Sequence, residues 1–537
     1  MKALRLTLLL VVPAFFMLGG QPNAMAAVSN ELPAAILHTL ETAGSTLQLA
    51  SKPAEIEALR TFYEQRENQP LWVDEAGTTV RGRALAQAFL SAASDGLDPA
   101  DYDAGTAVLD GGSAEQLVAA ELALSVTLVR YALDLRGGRA LPTKIERDQR
   151  IIPPNPVQIL IAAAEAPDPA AFVQGLAPSD SIYLGLRQSL ARYRSLAAAG
   201  GWPQLPEGAN FGTGSIDPRV GTLRLRLQLT GDLATDAQGH PQSRFDDDVH
   251  QAVRRFQERH GLPASGIVDE QTRTLLNIPV QDRIRQILAN LERARWLPDD
   301  LGDPYVLVNL ADFALQVVEG GRDVMRMRVV IGEPETITPV FSDKISYIEI
   351  NPYWNIPRSI AVKEKLPVLR RNLAALKAQN IRVFGPDGEE IDPATVNWPA
   401  VNANNFSYRL RQDPGARNAL GRIKFMFPNP YGVYLHDTPS RALFRRQVRT
   451  FSHGCIRIEK PIELAMFLLR SKEGWGRTRI QQTIAKGKNR TIVLNDPVSV
   501  HLVYLTAWLD RDAKMQFRDD HYNLDAPLVA ALDPSRE

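Results

Sequence analysis

Residues 431–457 read YGVYLHDTPSRALFRRQVRTFSHGCIR, and they contain the only cysteine of the chain, Cys455. A thiol becomes a nucleophile when a neighbouring base or positive field stabilises its thiolate. Two histidines are near enough in sequence to serve, His436 and His453. Alternation along Tyr431–His436 puts Tyr434 and His436 on one face and Val433 and Leu435 on the other. The apolar pair then goes to the core, and His436 faces a cleft. His453 stands two residues before Cys455; in extended chain both point the same way, although Gly454 can bend the backbone. Nucleophile and base therefore come from separate strand ends, which is how a rigid sheet presents a dyad. Gly454 also permits close backbone approach, and the N–H groups of Gly454 and Cys455 are candidates to hold the oxyanion of a tetrahedral intermediate. An inert, buried Cys beside a core His is the competing reading of the same residues.

Outward from this stretch, the pattern is strand-like at Tyr305–Leu310, Ala314–Glu319 and Val324–Ile331, with Gly320-Gly321 as the hairpin turn. Strand signals return at Gly432–Leu435 and Thr491–Leu494, and His501–Trp508 is also apolar. A helix is expected at Pro461–Leu469, with Pro at its first position. Between Arg358 and Gly421 the character is helix and polar loop, clearest at Ile360–Leu369 and Leu373–Ala378, and reads as an insertion able to close over a cleft. Upstream, residues 32–205 are helical, with Ala84–Ala93 and Leu117–Leu135 broken by turns at Asp95-Gly96, Gly111-Gly112 and Gly137-Gly138. Ile151-Ile152-Pro153-Pro154-Asn155-Pro156 interrupts them, and Trp202–Gly214 reads as a linker. A compact unit, residues 217–280, follows: a helix with Ala252, Val253, Phe256 and Gln257 ends at Gly261-Leu262, Gly266–Asp269 turns, and Thr272 opens a short helix. The chain is thus expected to be multidomain α+β.

At 537 residues the chain is too long for one core. Lys plus Arg and Asp plus Glu are both 61, so the net charge is zero, and no basic run marks a nucleic-acid partner. Lys2 and Arg5, an apolar run from Leu6 to Leu18, and Ala24-Met25-Ala26 form the pattern of an export signal over residues 1–26. Its h-region is short for a membrane span, so contact with a membrane is expected only through this segment, and a periplasmic protein is expected. No later segment approaches the length of an apolar span. A lone Cys rules out a structural disulfide and multi-Cys zinc sites, and no His-Glu-x-x-His occurs, so neither metal nor cofactor is expected.

His436, the 19-residue step to Cys455, and Ser452-His453-Gly454-Cys455 resemble the signature of the L,D-transpeptidases, a His followed after a spacer by Ser or Thr before His-Gly-Cys. The resemblance implies Cys455 as nucleophile, His436 as base, the backbone carbonyl of Asp437 as the group that orients the imidazole, and Ser452, His453 and Gly454 as residues that shape the site. Many members have Gly or Ser at the position of Asp437; a carboxylate there is expected to raise the His436 pKa. Arg457 stands where smaller members have Asn; it is a candidate to pair with a substrate carboxylate or, equally, a surface ion pair. Tyr434 and Trp354 are candidate substrate contacts, with core packing the alternative for Trp354.

Phe62-Tyr63 to Pro70-Leu71-Trp72, Asp95–Pro99, Leu291–Pro298, Thr338-Pro339, Asn351–Pro357 and Asp519–Tyr522 resemble the large Gram-negative members. Residues 217–280 resemble the small three-helix peptidoglycan-binding domain. The resemblance implies a signal peptide (1–26), helical scaffold (32–205), peptidoglycan-binding-like domain (217–280), linking helix (281–300), catalytic domain (303–500, capping insertion 358–421) and C-terminal extension (501–537). It also implies peptidoglycan stem peptides as substrate, other cell-wall synthesis enzymes as partners, and carbapenem acylation of Cys455. A wall hydrolase on the same site and a noncatalytic wall-binding scaffold are the rivals. A serine penicillin-binding enzyme is unsupported, because Ser-x-x-Lys is missing.

Overall fold

The computed structural model describes residues 31–42, 53–140, 154–235 and 243–532. The expected export signal lies outside them. The chain divides into two compact units.

The first unit takes residues up to Leu90, Ala100–Arg130 and Asn155–Gln174. Its helices include Pro53–Glu64, Val80–Phe89, Pro156–Glu165 and Pro169–Gln174. Thr79 caps the second by accepting from Gly82 N–H, and Asn155 caps the third. A fully buried carboxylate, Glu121, accepts from Tyr63 Oη at 2.5 Å, from Leu71 and Trp72 N–H at 2.7 Å, and from Val73 N–H at 3.0 Å. That one acceptor satisfies a bend of backbone with no ladder of its own, and it explains the Tyr63 to Trp72 motif. The helix carrying Glu121, Ala114–Gly137, is long and apolar enough to cross a membrane, contrary to expectation, but 67% of its apolar window is buried within the protein. Apolar length with buried, partnered charge marks a core helix.

The second unit takes Ser91–Pro99, Tyr131–Pro154 and Gly175 onward. The helix Val280–Arg295 packs against Ser181–Ala198 and Asp525–Leu532. Its buried charges near the C-terminal end are paired: Arg295 with Glu292 and the Asp95 carbonyl, Arg293 with Asp525. The three helices Arg219–Leu229, Asp247–Arg259 and Glu270–Leu276 form their own core around Phe245, Val253 and Phe256. The third helix begins at Glu270, not at Thr272, because Asp269 is its cap and accepts from Thr272 N–H. Gln257 ties the preceding turn: its amide donates to Ile267 O (2.9 Å) and Thr272 Oγ1 (3.0 Å) and accepts from Gly266 N–H (2.8 Å).

The largest sheet is built from β1 (Tyr305–Asn309), β2 (Ala314–Glu319), β3 (Arg322–Gly332) and β4 (Phe341–Ile350). An insertion carries β5 (Trp354–Ile356), β6 (Ile381–Phe384), β7 (Glu390–Ile391) and β8 (Arg409–Gln412). The sheet resumes with β9 (Ile423–Met426), β10 (Leu435–His436), β11 (Thr450–Ser452), β12 (Ile456–Ile458) and β13 (Arg490–Val503). Pairing runs β3–β12–β10–β9–β4–β13–β1–β2 and returns from β2 to β3, so the strands close into a ring, with β11 added beside the end of β3. Its core gathers Val308, Leu315, Val329, Ile348, Phe425, Leu435, Ile456 and Ile458, closed by Leu464 and Leu468 of the helix Pro461–Leu468. β13 is one strand through Val503, so the separate apolar run expected at His501–Trp508 begins inside the sheet. The fold is multidomain α+β.

The insertion is the main departure from expectation. In place of helix and loop it holds a four-stranded sheet, β5–β8–β6–β7, over its own core of Ile356, Leu376, Val383, Trp398 and Leu410. Strands of two to four residues are too short for alternation to register in the sequence. The helical run Arg358–Leu369 is present, with a π turn at Ala361–Lys365. The insertion's ends meet where Asn351 N–H donates to Arg422 O at 2.8 Å.

Candidate active site

Strands β9, β10 and β12 lie side by side, and their register decides which side chains meet. Lys424 is opposite His436, and His436 is opposite Arg457. Their chain neighbours Ile423, Phe425, Leu435, Ile456 and Ile458 point into the core, so the three polar residues form a row on the other face. One step along the same face stand Tyr434 and Cys455: Ile456 N–H donates to Tyr434 O at 3.1 Å, and the Cys455 thiol donates to Gly432 O at 3.8 Å. The Tyr434 ring lies 5.7 Å from the imidazole, centre to centre, and Lys424 Nζ sits 4.2 Å over the tyrosine ring. Alternation puts Tyr434 and His436 on one face, and the register of β10 on β12 sets Cys455 and Arg457 beside them. Lys424 was not anticipated.

Cys455 sits just before β12, on a turn held from several directions. Ser452 Oγ donates to Cys455 O at 2.5 Å and accepts from Gly454 N–H at 3.2 Å. Thr338 Oγ1 donates to Gly454 O and accepts from Gly332 N–H, both at 2.9 Å. Tyr522 Oη in turn donates to Gly332 O at 2.8 Å, which gives the Thr338-Pro339 and Asp519–Tyr522 motifs a structural reason. Gly454 has φ +106°, open to glycine and strained for other residues. Because Gly454 N–H is engaged by Ser452, the expected pair of oxyanion donors reduces to Cys455 N–H, which has no acceptor among the described residues.

The imidazole is buried, and its Nδ1 meets the Asp437 carbonyl at 2.5 Å. With Nδ1 donating to that carbonyl, Nε2 is left as the acceptor nitrogen. The Asp437 carboxylate turns away: it accepts from Arg422 N–H at 2.9 Å, lies 3.4 Å from Arg441, and rests against Gly421, where a Cβ would collide with it. The expected rise in the His436 pKa is therefore reversed. Burial, then Arg457 and more weakly Lys424, push it down to about 3. Burial raises the Cys455 thiol, opposed by Tyr434, Lys424 and Arg457; burial raises Tyr434, with Cys455 adding to it, and lowers Lys424. The resting site is a neutral imidazole beside a neutral thiol, flanked by two cations.

The remaining candidates lie elsewhere. His453 is half out in solvent, its Nε2 2.6 Å from Glu364 on the insertion, so it links insertion and turn. Trp354 packs with the insertion's core, and Lys365 Nζ lies 5.9 Å from its ring centre; that is core packing, not a contact with the dyad. A cavity of about 670 Å³ lies along Asp437, Arg422, Arg441 and Pro461, and neither His436 nor Cys455 lines it.

Residues 303–498 match the L,D-transpeptidase catalytic domain family, residues 57–190 a scaffold domain family, and residues 217–276 a family described as “Putative peptidoglycan binding domain”. Along the chain, the matches thus run from scaffold domain through peptidoglycan-binding domain to L,D-transpeptidase catalytic domain. A protein of Haemophilus influenzae (strain ATCC 51907 / DSM 11121 / KW20 / Rd) named “Putative L,D-transpeptidase” is 35% identical over 231 residues, 43% of this chain and 46% of that protein. The chain therefore spans less than half the length of that relative. Among solved structures, an L,D-transpeptidase (residues 123-326) from Xylanimonas cellulosilytica DSM 15894 is 17% identical, covering 55% of this chain and 98% of that one with a TM-score of 0.17. An L,D-transpeptidase from Stackebrandtia nassauensis is 14% identical, covering 56% and 96% with a TM-score of 0.20. At those scores neither likeness bears on the fold.

Proposed function

We propose that this protein is an exported peptidoglycan L,D-transpeptidase acting by two acyl transfers. The observation that carries this reading is the common face of β10 and the turn before β12, where Cys455 and a buried His436 stand together with Nδ1 held by a backbone carbonyl. In the first transfer Cys455 sulfur attacks the carbonyl at the L-centre of meso-diaminopimelate in a tetrapeptide stem. A C–S bond forms, the C–N bond to D-alanine breaks, and the thiol proton passes through His436 Nε2 to the departing amine. Cys455 N–H faces the developing oxyanion. In the second transfer the side-chain amine of another diaminopimelate attacks the thioester, giving a diaminopimelate–diaminopimelate cross-link and returning the thiol. Arg457 and Tyr434 contact the donor; Ser452, Gly454 and His453 shape the turn.

Domains acting on the cell wall fit an extracytoplasmic, periplasmic location. We infer the division into scaffold, peptidoglycan-binding-like, linking and catalytic segments already outlined, with the insertion as a cap and partner synthesis enzymes supplying substrate. The test is incubation of the mature protein with disaccharide-tetrapeptide muropeptides and mass spectrometry of the products, with Cys455→Ala alongside. A dimer lacking one D-alanine, absent with the variant, is expected. Tripeptide monomer alone means a trimming hydrolase, and no change with folded protein means a wall-binding scaffold.

A further inference from the structure

The row Lys424–His436–Arg457 is unusual in what it lacks. Both cations are half-buried, and neither has an ion pair within 4.0 Å among the described residues. Glu349, opposite Lys424 on β4, and Glu333 and Glu364 near Arg457 are the acidic neighbours that face them, and none closes to pairing distance. Tyr434 and Cys455 complete the titratable groups around the row, and His453 is taken by Glu364. Partly desolvated cations without counter-ions are costly to hold. Here two of them bracket the residue that must itself become a cation when it takes the thiol proton.

We propose that Lys424 and Arg457 form one carboxylate subsite straddling His436, that it takes the C-terminal carboxylate of the donor's D-alanine, and that filling it allows His436 to act as base. This rests on the transpeptidase reading above and adds the donor group that switches the base on. The scissile carbonyl carbon and that carboxylate carbon are three bonds apart, at most about 3.7 Å, so an anion held beside His436 keeps the carbonyl within reach of Cys455. Bound, the carboxylate offsets the two positive fields that, after burial, hold the imidazole neutral. On acylation it leaves with D-alanine, after the C–S bond has formed and the proton has gone to the amine nitrogen. The site is then again unfavourable to an imidazolium, and an unloaded enzyme keeps its unpaired thiol protonated and poorly nucleophilic.

The test compares a tetrapeptide donor ending in D-alanine with the same donor ending in D-alaninamide. Both give the same acyl-enzyme, measured by intact mass. Wild type is expected to prefer the carboxylate donor about ten- to hundredfold in kcat/KM, the range of a charged hydrogen bond. Lys424→Met should lose most of that preference, read as the ratio of kcat/KM for the two donors, and Lys424→Arg should keep it. The acid limb of the acylation rate should also lie at higher pH with the carboxylate donor than with the amide. Equal loss on both donors by Lys424→Met, or equal use of both by wild type, overturns the subsite and leaves the transpeptidase standing. Acylation by neither donor overturns the transpeptidase reading itself.

Discussion

Replacing Ser452 by alanine isolates the contribution of the turn that presents the nucleophile. The side chain is 2% exposed, and its hydroxyl makes two bonds inside the segment 452–455: it donates to Cys455 O and accepts from Gly454 N–H. The backbone bonds of Ser452 O to Glu333 N–H (2.9 Å) and to Thr336 Oγ1 (3.2 Å) do not need the side chain, so β11 stays in place. Losing two bonds of ~0.5–1.5 kcal/mol each, one of which leaves a buried donor unpaired, costs about 1–3 kcal/mol. If that cost falls on the reactive geometry, acylation slows about 5- to 150-fold; if it falls on stability, the Tm of the domain drops by about 2–12 °C. Acylation by a tetrapeptide donor, followed by intact mass, separates the two when run beside thermal unfolding. The expectation is a lower acylation rate with little change in KM, because the donor's contacts are on the sheet face. An acylation rate and Tm both equal to wild type would refute the idea that Ser452 positions Cys455.

Three further outcomes follow. Gly454→Ala meets no close neighbour, since a Cβ there lies 3.7 Å from the nearest atoms, so its cost is the φ of +106° alone; about 1–3 kcal/mol of strain should cut acylation at least fivefold, and unchanged activity would mean the turn relaxes freely. His436, held down to about 3 from 6.5, stays neutral in the folded enzyme while the unfolded chain takes up a proton as pH falls below 6.5; its contribution to stability is full above 6.5 and lost progressively toward 3. Histidine NMR on the free enzyme should therefore show the His436 ring, assigned by its loss in His436→Gln, still neutral at pH 5, and ordinary titration of that ring would overturn the assignment. Glu121→Gln puts an NH2 group against backbone donors that now share two carboxylate oxygens; about 2–5 kcal/mol should lower a calorimetric transition without touching thiol alkylation, and an unchanged thermogram would contradict the node.

The dyad was readable because its signals are local. Period-two alternation over Val433–His436 assigns faces without any knowledge of neighbours, and the single Cys leaves one nucleophile. Lys424 was not readable, since it reaches the site only through the antiparallel register of β9 on β10, across the turn at Pro428–Pro430. The direction of the Asp437 carboxylate was misjudged for a similar reason: it is drawn off by Arg422 N–H and the space left by Gly421 on another strand. Gly454 N–H was assigned to an oxyanion because its bond to Ser452 depends on backbone dihedrals that spacing does not encode. The insertion's strands, four residues or fewer, lie below the length at which a pattern separates from chance. In the three-helix unit, by contrast, the motif was visible, and Gln257 bonds the unit's own turn; as a fold marker it carries no information about glycan affinity.

The closed ring also sets a schedule. β1 pairs on one side with β2 and on the other with β13, so its second edge stays open until the chain reaches Val503. Roughly 190 residues separate β1 from the end of β13, so this pairing is among the last of the ring that the emerging chain can make. Through that interval a hydrophobic hairpin waits with an unpaired edge, the arrangement most prone to pairing with another chain. For this protein the hazard of biogenesis is concentrated in the delay before its last strand arrives.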